Sequence, residues 1–112
     1  MELINLTPHP LTIVGADGEI LLNRAPDGPM ARCAEDRAEV GTVDLPGGAQ
    51  VPLRVVGFGV VTGLPTPRDG VLYVVSRATA EAAGRDDVVY PDEQVRDADG
   101  RIIGCRALAR AK

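Results

Sequence analysis

Apolar residues along this chain fall in short runs separated by glycine, proline and aspartate. "ELINL", "LTIV", "EILL", "VLYVV", "DVVY" and "RIIG" are each four or five residues long. Runs of that length, rich in β-branched residues and bounded by turn formers, predict strands rather than helices. Two pairs straddle Asp-Gly turns. "LTIV-GADG-EILL" and "EQVR-DADG-RIIG" both predict β-hairpins, because Asp-Gly tolerates the left-handed backbone of a tight turn. The first pair alternates poorly, so its strands are expected to be buried on both faces. "ELINL" is stopped by Pro8 and Pro10, which makes "TPHP" an extended exit from a strand.

The apolar run Val71–Val75 is continuous, as expected of a strand covered on both faces. It leads directly into "SRATAEAAGR". Ser76 suits an N-cap, the alanines favour helix over residues 77–83, and Gly84 suits the stop. "DVVY" follows as a strand ended by Pro91. This strand–helix–strand unit predicts a parallel pair with a right-handed crossover, with an antiparallel return as the alternative. Between the first hairpin and this unit lies "MARCAEDRAEVGTVDL". Its Ala, Glu and Arg content suggests helix, but Ala38, Val40 and Val43 form no helical stripe, so extended structure is preferred. "LPGGA" reads as a turn. Gly57, Gly59 and Gly63 in "QVPLRVVGFGVVTGL" predict a bulged or bent strand. The expected architecture is a single small α+β domain over residues 1–112, a mixed β-sheet with β-hairpins and one principal short helix.

Composition narrows the partners. With 45% hydrophobic residues, 3% aromatics and no tryptophan, the core must be built from Val, Leu, Ile and Ala. The net charge of −4 argues against nonspecific nucleic-acid binding, which needs a basic surface. The closing stretch "GRIIGCRALARAK" carries four basic residues and no acid, and reads as a solvated edge strand and tail. No apolar run reaches the ~20 residues of a membrane helix, and the N-terminus lacks a signal layout. The expectation is a cytoplasmic protein. Cys33 and Cys105 are far apart and form no CxxC, so two buried reduced thiols are expected. With His9 the only histidine, a Cys/His zinc site would need a carboxylate as well. Neither a metal nor a cofactor is expected.

Three segments, "INLTPHPLTI", "GLPTPRDGVLYVVS" and "RDDVVYPDEQVRDADGRIIGCRAL", together resemble a family of small uncharacterised proteins of bacterial and phage genomes. That family has an N-terminal Asn-Leu-Thr-Pro-His segment, a Leu-Pro…Tyr-Val-Val-Ser segment and a late Gly-Cys. The resemblance covers most of the chain and implies no activity; it marks these segments as the ones that matter. Thr66 stands where the family tends to carry an acid.

If the strands ending at Thr7 and Ser76 lie parallel and adjacent, their carboxyl ends would gather Asn5, Thr7, His9, Ser76 and Arg77. A helix start and a guanidinium there would suit a phosphate or carboxylate. Each residue also has a structural reading: Ser76 as a cap, His9 as a turn residue, Arg77 as a helix surface residue. Asn5, inside an apolar strand, either stitches the neighbouring loop or points into a pocket. Catalytic options are few. Ser76 is the only serine, so a hydrolase must pair His9 with Ser76 or with a cysteine, Cys105 being favoured. The G-x-S-x-G elbow and the common phosphate-binding and zinc motifs are absent. The leading expectation is a non-enzymatic domain binding an anionic small molecule, with a nucleotide as one form; by analogy, a phage-associated protein could sequester a nucleotide signal. A small hydrolase or phosphodiesterase is the first alternative. An interaction module that forms a homo-oligomer through an exposed strand, at the glycine-rich central segment, is the second.

Overall fold

A computed structural model describes all 112 residues. Strands β1 (Glu2–Asn5), β2 (Leu11–Val14) and β3 (Ile20–Arg24) come first. They are followed by two long strands, β4 (Arg32–Asp44) and β5 (Gln50–Thr62). β6 (Val71–Val74), the helix α1 (Arg77–Ala83), β7 (Val88–Arg96) and β8 (Ile102–Arg110) complete the chain. Six strands form a mixed sheet in the order β1-β6-β7-β8-β2-β3, and β4 and β5 form a separate two-stranded hairpin. The class is α+β, as the apolar runs indicate. No helix is long and apolar enough to cross a membrane.

The unit around Val71–Val75 behaves as its sequence suggests. β6 pairs in parallel with both β1 and β7, and α1 makes the crossover. Side chains alternate across this central strand. Val71, Tyr73 and Val75 face α1 and pack with Leu6, Ala80 and Val88. Val74 faces the other way, with Leu11, Val89 and Cys105. That second face has no helix over it. The sheet instead coils on itself, so Leu3 from one edge strand and Leu22 from the other both pack against the same cluster. The edges meet at one point. Asn5, at the end of β1, donates from its side chain to the Arg24 carbonyl at the end of β3, and accepts at its own carbonyl from the Asp27 amide.

Four expectations need correction. Pro91 does not end a strand: β7 runs through it to Arg96, with Pro91 opposite Leu108. The Asp87 and Val89 carbonyls bond toward β6, so Pro91 faces the same side. β6 has ended there, and the missing proline N–H leaves no gap in a ladder. The closing stretch is not an edge: β8 lies inside the sheet between β7 and β2. Only one strand of the first hairpin is well covered. Leu11 and Val14 of β2 are buried, while Ile20 and Leu21 of β3 are exposed because β3 is the last strand of the sheet. Of the two thiols, Cys105 is buried but Cys33 is only half-buried, at the root of the long hairpin.

Gly104 explains how β8 reaches β2. A Cβ at this position would stand 3.0 Å from the Thr12 carbonyl oxygen and 3.2 Å from a Val14 methyl. Its absence lets the parallel strands approach at the Ile13–Cys105 pair. The glycine therefore sets the close contact next to the buried thiol.

Candidate functional site

The exit from β1 is held from below by Asn5, which is fully buried. Its amide nitrogen donates to the His9 carbonyl at 2.9 Å and to the Arg24 carbonyl at 3.0 Å. Its amide oxygen accepts from the Thr7 backbone N–H at 3.0 Å. The Thr7 hydroxyl lies 2.6 Å from that same oxygen and 2.9 Å from the His9 carbonyl. Two carbonyls on one side and an N–H on the other dictate which way the amide points. Every bonding position of Asn5 is taken inside the protein, so it stitches the loop and does not present its side chain to a ligand. Pro8 and Pro10 stiffen the loop that Asn5 positions.

Thr7, His9, Ser76 and Arg77 all line one open cleft of about 810 Å³. It lies beyond the carboxyl ends of the parallel strands β1 and β6, the arrangement on which the sequence reading depended. His9 is exposed, and its imidazole makes no hydrogen bond within the chain. Ser76 has the extended backbone of an N-cap (φ −69°, ψ 157°), and its hydroxyl accepts from the Thr79 N–H at 3.3 Å. The same oxygen is 2.9 Å from the Thr79 hydroxyl, which is itself buried. Arg77 projects from the first turn of α1. It pairs with Glu81 at 3.0 Å on its exposed side, and its guanidinium carbon lies 5.8 Å from the centre of the Tyr90 ring. The bond to Glu81, followed by the charge interactions with Tyr90 and Glu81, drives its pKa further up.

Several cleft residues escaped the sequence reading. Gln94 reaches the cleft because β7 continues through Pro91, and Tyr90 lines it from the residue before. Ile102 and Ile103 form an apolar wall and are each about half exposed, at 52%. Both reach it because the register shift between Val95 and Arg96 leaves β8 one extra residue at Ile103, and such a bulge breaks the strict alternation of side chains. Cys105 contributes to the lining from the buried side. Burial pushes its thiol up from the ordinary cysteine range, against a smaller downward pull from backbone hydrogen bonds. That holds it as the thiol, away from the reactive thiolate.

The charge pattern is one-sided. The chain has 16 acidic residues, yet no aspartate or glutamate lines the cleft, where the basic side chains are His9 and Arg77. No group of three metal-ligating side chains comes together anywhere in the structure. The remaining candidates for ion pairing lie elsewhere. Arg85 grips Asp87 at 2.6 Å, Arg24 grips Asp27 at 3.0 Å behind the Asn5 loop, and Arg37 meets Glu35 at 2.9 Å on the long hairpin. No family model matches the chain, and no curated protein or solved structure matches it.

Proposed function

We propose that this domain binds an anionic small molecule that also carries a flat apolar group, and that a nucleotide is the best-fitting class. The observation that carries this reading is the composition of the cleft. In an acidic protein its lining holds no carboxylate, with Glu81 and Asp92 reaching Arg77 only from outside it, and it gathers His9 and Arg77 beside apolar walls. Arg77 supplies a planar, permanently charged donor suited to a phosphate. Glu81 holds only its Nε, and an exposed i,i+4 pair is worth only about 0.3–0.5 kcal/mol, so the pair is a weak competitor. Tyr90 and the Ile102–Ile103 wall offer surface for a ring to pack on. The volume falls within the usual range for small-molecule sites, roughly 300–1,000 Å³.

Hydrolysis receives less support. The Ser76 hydroxyl is engaged with Thr79, and the Cys105 thiol is buried and raised. Neither forms a hydrogen bond with His9, the pairing that nucleophile activation uses.

Isothermal titration with nucleoside monophosphates and with the parent nucleosides tests the proposal. The phosphate should be required for binding, and Arg77→Ala or His9→Ala should weaken it at least tenfold, about 1.4 kcal/mol. Failure of every nucleotide to bind, or equal affinity for nucleoside and nucleotide, would overturn it.

A further inference from the structure

The β4–β5 hairpin is the least explained part of the molecule. Each strand has 13 residues, about 43 Å at the usual rise, and both stand almost wholly exposed beyond their roots. The register sorts their side chains. Directly paired residues share a face, so Val43 with Val51, Gly41 with Leu53 and Ala38 with Val55 make one apolar face. Asp44 with Gln50, Thr42 with Pro52 and Glu39 with Arg54 lie on the other. The register shift between Glu39 and Gly41 gives β4 one extra residue at Val40, which keeps the apolar positions in phase on both sides of it. Over the outer half of the arm, this pattern is that of a strand pair built to be covered on one side, yet Leu53 and Val55 are 48% and 58% exposed.

The whole-chain dimensions agree. The radius of gyration is 17.7 Å, against about 13 Å for a compact chain of this length. The accessible surface is 7524 Å², against about 5,900 Å² expected for a folded monomer of 11.7 kDa. The excess of about 1,600 Å² is what one subunit of an obligate dimer buries, since such interfaces total roughly 2,000–5,000 Å² over both partners. An isolated two-stranded ribbon is also marginal by itself in water.

We infer that the hairpin is a dimerisation arm whose apolar face is covered by a second copy of this chain. Over the outer half of the arm the face of Val43, Val51, Leu53 and Val55 carries no charge, Asp36 being the first charged residue on it toward the root, and it matches itself. Two copies related by a two-fold axis would stack these faces as layers about 10 Å apart. The opposite face of that outer half, with Thr42, Glu39 and Arg54, stays in water; nearer the root the same face also carries Val56 and Phe58. The inference is independent of the cleft, whose residues lie outside the arm.

Sedimentation equilibrium of the purified chain over a hundredfold dilution series is the test. The wild type should show twice the 11.7 kDa chain mass at the concentrated end. Leu53→Arg should return it to a single chain with an unchanged circular dichroism spectrum, and Thr42→Arg, on the polar face, should leave the double mass in place. A single-chain mass at every concentration overturns the inference and hands the arm to a different protein. A double mass that survives Leu53→Arg overturns it too, by placing the contact elsewhere. Should Leu53→Arg fail to fold, the wild-type melting temperature decides: it must rise with protein concentration, and a constant value overturns the inference.

Discussion

Replacing Asn5 by aspartate changes one NH₂ to an oxygen and almost nothing in shape. In the structure that NH₂ faces two carbonyl oxygens, those of His9 and Arg24, at 2.9 and 3.0 Å. An ionised carboxylate there would be fully buried and would point an oxygen at two acceptors. The Asp27 carboxylate, which accepts from the Asn5 backbone N–H at 2.7 Å, would add like-charge repulsion. All three effects favour the protonated acid, so the folded-state pKa of the new carboxyl should lie above its unfolded value of about 3.9. A group raised in the folded state contributes most below its unfolded pKa and costs stability as pH rises through its folded one. With a rise of about 2–3, well within what full burial produces, Asn5→Asp should lose about 3–4 kcal/mol at pH 7 through ionisation. At pH 4 the same effect shrinks to roughly 0.5 kcal/mol. One lost carbonyl contact should remain at both pH values, near 1 kcal/mol. Urea unfolding of variant and wild type, compared at pH 4 and at pH 7, measures this directly. A deficit that is equal at the two pH values, to within about 0.5 kcal/mol, would refute the reasoning. The amide would then not be what pins the loop and joins the two sheet edges.

Gly104→Ala should destabilise by about 1–3 kcal/mol, because the new methyl meets the Thr12 carbonyl and Val14; chemical denaturation detects it, and an unchanged midpoint would contradict the close approach. Glu93 is the one residue other than glycine with positive φ, at 53°, so Glu93→Gly should relieve strain and raise stability by roughly 0.5–1 kcal/mol in a thermal melt. Cys105 should resist a bulky thiol reagent in the native state while half-buried Cys33 reacts first; peptide mapping after brief labelling gives the order. The Asp27 carboxyl is held below the usual range, first by its bond to Arg24 and then by the Asn5 N–H, and the Asp87 carboxyl by its bond to Arg85. Depressed acids stabilise the fold above their unfolded pKa and lose that contribution as pH falls through the folded one. Wild-type stability should therefore decline below about pH 4, and Asp87→Asn should flatten that decline in urea midpoints measured against pH.

The local elements were legible because their causes are local. Ser76, the alanine run and Gly84 define α1 within ten residues, and the structure places the cap and the left-handed stop at those positions. The Asp-Gly turns likewise make the β2–β3 and β7–β8 hairpins. The parallel crossover after Val75 followed from the short distance between two apolar strands. What the sequence could not supply was neighbourhood. Whether Pro91 breaks a strand depends on whether a partner lies on its N–H side, and that is decided by where β6 ends. Whether β8 is an edge depends on β2, a strand some ninety residues earlier, reaching it past Gly104. Asn5 could be recognised as odd, but its partners at His9 and Arg24 come together only when the sheet coils. The cleft is the same kind of object. Thr7, His9, Ser76 and Arg77 were nameable from strand ends, because side chains at strand carboxyl ends share a rim once the strands are parallel. Tyr90, Ile102 and Ile103 join them through strand order, which no local pattern encodes. The bare apolar face of the arm is the clearest division between the two. Its alternation is written in residues 50–55, but that nothing in the chain folds back to cover it is a fact of tertiary structure.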